Sequence, residues 1–438
     1  MQPTEQPVEL ERRVIDKVSR RLLPFLIICY FVAYLDRVNV GFAGLTMNKD
    51  LGFSATVFGW GAGIFFIGYF FFEVPSNLAL ERFGARVWIS RIMVTWGLLS
   101  ACMAFIWDET SFLTLRFLLG VAEAGFFPGI ILFLTYWFPS AYRARIVGYF
   151  MAAIPVSTVI GAPLSGLILG LDGVRGLRGW QWLFILEGVP AILLSVAVLL
   201  YLTDGPRQAE WLHPQERAWL AARLDAERRN RQAIADFTVW QALTNARVLL
   251  LGLVYFGIVA ANYGMSFWLP QIVKGFGLTN LETGFVTAIP YALGAIAMVI
   301  WALRCDHAQE RKWHTAIPAL VAAVGLALST ATANPVLEMA ALSLAGVGIF
   351  AALPCFWTLP TALLSGSAAA GGIALINSIG NLAGFVGPYA VGFIKDQTQS
   401  FAPGLIFIAA LVLISFIVVL ILGHDPALER HPAAEPAE

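Results

Sequence analysis

Apolar residues run along this chain in long blocks with short polar breaks between them, and block length is the informative quantity. A bilayer core of about 30 Å takes about 20 helical residues to cross, and on that scale the chain divides into twelve helical spans. The first six are expected at 22–43, 55–80, 87–107, 111–138, 145–170 and 181–203. The second six are expected at 247–270, 282–303, 314–333, 336–364, 370–393 and 402–423. The longest polar segment, 204–246, separates the two sets. It holds Glu210, Glu216, Arg217, Arg223, Glu227, Arg228 and Arg229, with Trp211, Ala218, Trp219 and Ala222 at helical spacing. Such a pattern reads as a solvated linker with an interfacial helix. The expected organisation is an N-terminal segment 1–21, a six-helix bundle 22–203, the linker 204–246, a second bundle 247–423 and a tail 424–438.

Composition narrows the class. The 438 residues are 58% hydrophobic and 13% charged, with a mean hydropathy of +0.74, whereas a soluble domain carries about 25% charged residues. The fold class is therefore an all-α integral membrane protein embedded in a lipid bilayer. Zero net charge argues against a nucleic-acid partner, which would be held by a basic surface. Cys29, Cys102, Cys305 and Cys355 are scattered and suggest neither a metal site nor a disulfide framework. The first apolar stretch is too long for the core of a signal peptide and reads as a span.

Positive charge sets the expected orientation. One side collects Arg12, Arg13, Lys17, Arg20 and Arg21, then Arg82, Arg86 and Arg91, then Arg143 and Arg145, the linker, and Arg304, Arg311 and Lys312. The other side holds Lys49, Arg175, Arg178, Lys274 and Lys395. Both termini and the linker are expected in the cytoplasm, in a multi-pass cell (inner) membrane protein.

Against this background four charges stand out: Asp36 and Arg37 in span 1, Arg116 and Glu123 in span 4. Placing one charge near a bilayer centre costs from about 2.5 to about 17 kcal/mol, depending on the measurement. A rise of about 1.5 Å per residue puts Asp36, Arg37 and Arg116 at one level in the outer half, with Glu123 one or two turns deeper. Arg116 and Glu123 are two turns apart and share a face. All four could thus face one cavity. A guanidinium stays charged and grips a carboxylate in bidentate fashion. A carboxyl poised between burial and a neighbouring arginine can gain and lose a proton. The competing reading is a pair of static ion pairs that fix helix packing. Glu73 and Glu187 are weaker candidates, Glu73 for a gate or loop contact near the cytoplasmic end and Glu187 for substrate contact.

The second half has no comparable charges. It offers Asn262, Tyr263 and Trp268 in span 7, Tyr291 in span 8, Trp357 and Thr358 in span 10, and Asn377, Ser378 and Asn381 in span 11. Asn377 and Asn381 are one turn apart and could bind substrate or link helices. Pro354 and Pro360 should kink span 10 and turn Trp357 and Thr358 towards a cavity. Tyr34 and Tyr69 are similar candidates in the first half.

After span 2 comes Asn77-Leu-Ala-Leu-Glu81-Arg82-Phe-Gly84-Ala-Arg86. It resembles the GxxxDRxGRR loop of the major facilitator superfamily, with Glu81 for Asp, Asn77 for the first Gly and Ala85 for one Arg. A degraded echo, Arg304-Cys-Asp306-His307-Ala-Gln-Glu310-Arg311-Lys312, follows span 8, as an internal duplication requires. Glu81, Arg82, Gly84, Arg86, Asp306 and Arg311 are therefore candidate gating residues. Span 5 adds Gly161-Ala162-Pro163-Leu-Ser-Gly166, small enough for close helix contact.

Within that superfamily, Tyr34-Leu-Asp36-Arg37-Val-Asn39-Val-Gly-Phe-Ala resembles the span-1 motif of the anion:cation symporter branch. Gly120-Val-Ala-Glu123-Ala-Gly-Phe-Phe-Pro128-Gly, Trp182-Leu-Phe-Ile-Leu-Glu187-Gly, Tyr263-Gly-Met-Ser-Phe-Trp268-Leu-Pro and Asn377-Ser-Ile-Gly-Asn381-Leu-Ala-Gly extend the likeness over residues 15–423. The resemblance implies two pseudo-repeated six-helix bundles, alternating access and inward proton symport. By it Asp36 and Glu123 are the proton carriers and Arg37 and Arg116 anchor the substrate or tune the acids. It also places Tyr69, Trp357, Thr358 and Asn377 against substrate. Tyr34, Asn39, Asn262 and Asn381 complete the candidate binding set.

The expected function is proton-coupled import, by a monomer, of a small organic anion: a sugar acid, a dicarboxylate or an aromatic acid. Proton-coupled export of metabolites or drugs is the alternative. No cofactor or metal is expected, since there is no metal-ligand cluster and no Ser/His/Asp set, and the five histidines lie in loops or tails. An enzyme or a sensor on a carrier scaffold is therefore disfavoured.

Overall fold

A computed structural model describes residues 7–232, 245–308, 310–363 and 367–422. The N-terminal helices are α1 (Pro7–Leu51), α2 (Ala55–Phe83), α3 (Ala85–Cys102), α4 (Glu109–Glu123), α5 (Phe126–Thr135), α6 (Ser140–Met151), α7 (Ala153–Ile168) and α8 (Gly179–Tyr201). The linker contributes α9 (Pro214–Gln232). The second half comprises α10 (Ala246–Lys274), α11 (Asn280–Ala308), α12 (Lys312–Ser329), α13 (Pro335–Leu363), α14 (Ser367–Thr398) and α15 (Ala402–Ile421). Among the described residues, eleven stretches are helical and apolar enough to cross a membrane. The remaining expected span, 370–393, falls within α14. The expected tail 424–438 and part of the linker lie outside the described residues.

The boundaries differ from the sequence reading most at three places. First, α1 starts at Pro7 instead of 22 and runs unbroken for 45 residues. Val14, Ile15, Val18 and Leu22 are buried at helical spacing, so the basic N-terminal segment has an apolar stripe to pack. Second, α1 ends at Leu51, past the expected end at Ala43. Third, span 4 is broken immediately after Glu123. Gly125 adopts φ 83°, a left-handed conformation that glycine tolerates, and a Cβ there would meet the Ser76 side chain. Pro128 then sits in the first turn of α5, where its missing N–H costs nothing.

On the basic face, α9 docks against the start of α1. Lys17 Nζ donates to Glu216 Oε2 at 2.8 Å, the His213 N–H donates at 2.9 Å, and Arg13 lies 3.4 Å away. Burial pushes the Glu216 carboxyl up, but these donors outweigh it and hold the group below its ordinary range. The contact therefore contributes fully above the ordinary carboxylate range and fades only as pH falls through the lower value. Glu216→Ala should release α9, visible as faster tryptic cleavage after Arg217 and Arg223 at pH 7.

The two halves meet through small residues. A Cβ on Gly166 would strike the Asn280 backbone, and one on Gly284 the Ala162 backbone, so α7 and α11 touch backbone to backbone on the face opposite the basic loops. The small-residue run of span 5 lies in this contact. Gly59 and Gly63 of α2 meet Pro388 and Phe385 of α14 in the same way.

Candidate functional site

The level of each charge explains which of them meet. Arg37 lies fourteen residues before the end of α1, and Glu123 fourteen residues after the start of α4. Each is thus about 21 Å from the same face at the α-helical rise. Arg37 Nε donates to Glu123 Oε1 at 3.1 Å, and Nη2 bonds the same oxygen. Both groups are buried, Arg37 at 6% exposure and Glu123 at 1%. Arg37 Nη1 reaches across to the second half and donates to the Tyr263 hydroxyl at 3.1 Å. The guanidinium also lies 5.4 Å from the ring centres of Phe65 and Tyr69. The expectation that Glu123 lies below Arg37 is thereby corrected: counting from Leu51 instead of the N-terminal edge puts them level.

Asp36 turns away from this pair, as a neighbour on a helix must. Its carboxylate accepts from Trp96 Nε1 at 2.7 Å and Ser100 Oγ at 2.5 Å, both on α3, and from Asn39 Nδ2 at 3.0 Å. Trp96 and Ser100, one turn apart in an apolar span, were the available signal and the sequence reading passed over them. Arg116, fully buried, donates from Nε and Nη2 to the Gly61 and Ala62 carbonyls of α2 at 3.0 and 3.2 Å. It stands 5.1 Å from the Phe65 ring centre, so one phenyl ring lies against both arginines. The expected four-charge cluster is divided. Arg37 and Glu123 pair next to the second half, Asp36 faces α3, and Arg116 clamps the α2 backbone with Nη1 left unpartnered.

The second half meets this centre through α10. Asn262 Nδ2 donates to the Tyr34 hydroxyl at 3.0 Å, joining two residues of the expected binding set. Asn377 and Asn381 make a link between helices, one of the two roles their spacing allowed. Their amides donate to Glu73 Oε1 and Oε2 at 2.9 and 3.0 Å. The one-turn spacing on α14 matches the two oxygens of one carboxylate on α2, so these residues link the halves. Trp357 packs edge-on to Tyr255, ring centres 4.9 Å apart. Thr358 Oγ1 donates to its own helix at Cys355 O, 2.7 Å, so its hydroxyl is used locally.

A second carboxylate crosses between α2 and α14 at their far ends. Asp396 accepts from the N–H groups of Ala55 and Thr56 at 3.1 and 2.7 Å and from Thr56 Oγ1 at 2.5 Å. It therefore caps the N-terminus of α2 from the other half. Burial pushes its carboxyl up, but the Thr56 hydroxyl and the amide donors outweigh it and keep it below the ordinary range. The cap is present above the ordinary carboxylate range and lost only as pH falls through the depressed value, so it does not vary from pH 5 to 8. Asp396→Ala should cost roughly 0.5–2 kcal/mol, the usual worth of a cap, read as easier labelling of a cysteine placed at Thr56.

Of the candidate gating residues, Gly84 has φ 88° and its N–H donates to Leu80 O at 3.0 Å, ending α2 and starting α3. The Arg86 N–H donates to Asp204 Oδ1 at 2.8 Å, which ties the loop to the first residues of the linker. Arg82 lies over Phe83, 5.6 Å from its centre. Glu81 and Gly84 line a cavity of about 750 Å³ that also includes Arg143, Asp204 and Glu227. In the echo loop, Arg311 Nη1 donates to Thr358 O at 3.0 Å, holding the end of α13. The Asp306 side chain lies outside the described residues.

Residues 26–388 match the Major Facilitator Superfamily. A putative tartrate transporter of Agrobacterium vitis is 54% identical over 95% of this chain and 96% of its own length. A quinolone resistance transporter of Acinetobacter baumannii is 43% identical over 95% and 96%. The crystal structure of a bacterial homolog of the human lysosomal transporter Spinster, inward-facing and unoccupied, superposes with a TM-score of 0.75 at 16% identity, covering 94% of this chain and 97% of that one. With its long apolar helices and its buried charges, this chain belongs to the Major Facilitator Superfamily and is a multi-pass membrane transporter, not an enzyme, with the motif pattern of the anion:cation symporter type.

Proposed function

We propose that the protein imports a small carboxylate, of the hydroxy-dicarboxylate class represented by tartrate, together with protons. The observation that carries this reading is the buried Arg37–Glu123 pair, which a third bond joins to Tyr263 of the opposite half. A proton on Glu123 removes the carboxylate that occupies Arg37. The freed guanidinium then offers its fork to the carboxylate of a substrate. Proton and anion thus load together, and the Tyr263 contact reports the exchange to the second half. Asp36 is a further proton-carrying group, set among neutral donors. The basic face is cytoplasmic in this reading. The similarity to a tartrate transporter supports the substrate class.

The test is L-tartrate uptake into proteoliposomes under an inside-alkaline gradient. Wild type should accumulate tartrate. Glu123→Gln should abolish accumulation while keeping counterflow exchange, because exchange needs no net proton movement. Full accumulation by Glu123→Gln would remove the proton role from that residue. Similarity to a quinolone resistance transporter favours a second reading, proton-driven export. Drug resistance profiles of a deletion strain separate the two.

A further inference from the structure

Helices α2 and α14, one from each half, are bridged by a carboxylate at each end, and the two are held differently. At the far end Asp396 accepts from two backbone N–H groups and a hydroxyl at a helix N-terminus. That donor set, with the helix dipole behind it, favours the charged form. Towards the basic loops, Glu73 is 8% exposed and accepts from two side-chain amides, Asn377 Nδ2 at 2.9 Å and Asn381 Nδ2 at 3.0 Å. Among the described residues no arginine or lysine bonds to it. Arg37 of α1 is the cation whose field reaches it, and Arg37 is committed to Glu123 of α4. Tyr69, one turn away on α2, and Tyr255 of α10 are its titratable neighbours. Arg91 of α3 lies over Trp88, and α5 carries no ionisable side chain. Glu73 stands eighteen residues after the start of α2. It is thus about 6 Å closer to the basic loops than the level of Arg37 and Glu123, at the α-helical rise.

Both Glu73 oxygens accept, which is the bonding of an ionised carboxylate. A proton on either oxygen changes that. It sets an O–H donor against an amide N–H donor, so one asparagine must turn its oxygen in or let go. The bond that remains joins neutral groups, and a bond to a charged partner is roughly twice as strong. An ionised carboxylate in an apolar span without a paired cation is also costly in itself. Protonation therefore relieves the burial and loosens the bridge at once. Pro75, two residues on, supplies no N–H to the helix, so α2 can bend directly beside the bridge.

We propose that Glu73 is a proton-binding residue that operates this bridge: ionised, it ties α2 to α14 on the basic face, and protonated, it lets that face open. The proposal rests on the reading of the protein as a proton symporter, and adds a carboxyl between the Arg37–Glu123 pair and the basic face. The proton arrives by forming the O–H bond of one Glu73 oxygen. Once the face is open, that bond breaks and the proton passes to the water there. The ionised carboxylate then recaptures both asparagines, and the face closes. Asp396 keeps its cap through these steps, so the opposite end of the helix pair stays joined.

The experiment is double electron–electron resonance on the full-length protein in nanodiscs, with spin labels at Arg145 and Arg304, across a pH titration with no substrate added. Wild type should gain long separations as pH falls, by about tenfold in the open-to-closed ratio, the worth of a charged over a neutral bond. Glu73→Gln, which mimics the protonated form, should give one distribution at every pH. Asn377→Ala combined with Asn381→Ala should also lose the pH response, with long separations favoured throughout. Glu123→Gln should keep the response, which assigns it to Glu73 and not to the central pair. Thermal unfolding of each variant confirms that it is folded. Distances independent of pH in wild type overturn the proposal, as does a full pH response in folded Glu73→Gln. Tartrate uptake is read separately: failure of wild type to accumulate tartrate would sink the transport reading while leaving the proton-operated bridge standing.

Discussion

Alanine in place of Arg37 should abolish carboxylate uptake and destabilise the protein, by roughly 3–5 kcal/mol, the cost of removing one partner from a buried ion pair. The loss arises because Glu123 is left ionised, buried and without its two bonds from Arg37. Two consequences separate this account from a general packing defect. The destabilisation should shrink at acid pH, where Glu123 takes up a proton and no charge remains to be compensated. It should also shrink when Glu123→Gln is added in the same chain, because the pair has then been removed whole. Transport should not return in that double variant, since no guanidinium is left to hold the substrate. Thermal unfolding of both variants at acid and alkaline pH, beside tartrate uptake, checks each point. A double variant as unstable as Arg37→Ala would show that the arginine acts through packing on Phe65 and Tyr69.

Replacing Glu73 by alanine should favour opening on the basic face. Glu73 accepts one bond from each of two asparagines in the other half, and a hydrogen bond to a charged group contributes about 1.5–3 kcal/mol. Loss of even one such contribution shifts a two-state equilibrium by about tenfold or more. Spin labels at Arg145 and Arg304, exposed positions on the basic face of the two halves, should show a larger population at long separation in Glu73→Ala. Glu73→Gln should fall between, because its amide oxygen still accepts from one asparagine. Distances identical to wild type in Glu73→Ala would mean that α2 and α14 are held on this side by their close packing alone. Asp396 should be unaffected, since its cap lies at the other end of the same helix pair.

The architecture was legible in the chain because bilayer thickness converts block length directly into helix number. The pairing of charges was less so. Sequence spacing put Arg116 and Glu123 on one face, correctly, and gave no account of what stood opposite each. Arg116 meets the carbonyls of Gly61 and Ala62, and a backbone partner leaves no mark in side-chain identity. The break after Glu123 was carried by Gly125 and Pro128, three residues apart, inside a run apolar enough to read as one helix. The sequence marks Asn377 and Asn381 as a matched pair, and Glu73 as a candidate for a gate or loop contact. That one holds the other depends on how α2 and α14 approach, which is tertiary information. Asp204 and Asp396 sit in polar segments where an acid is unremarkable by composition, so their capping roles had no signal at all.

The central claim is that proton and carboxylate compete for the Arg37–Glu123 pair. Its most direct test is the affinity of purified protein for L-tartrate as a function of pH, measured by calorimetry on wild type and Glu123→Gln. Wild type should bind more tightly as pH falls, by up to about tenfold per unit for one coupled proton. Glu123→Gln should bind tightly with that pH dependence lost. Affinity that stays flat in wild type, or binding that vanishes in Glu123→Gln, would contradict the account.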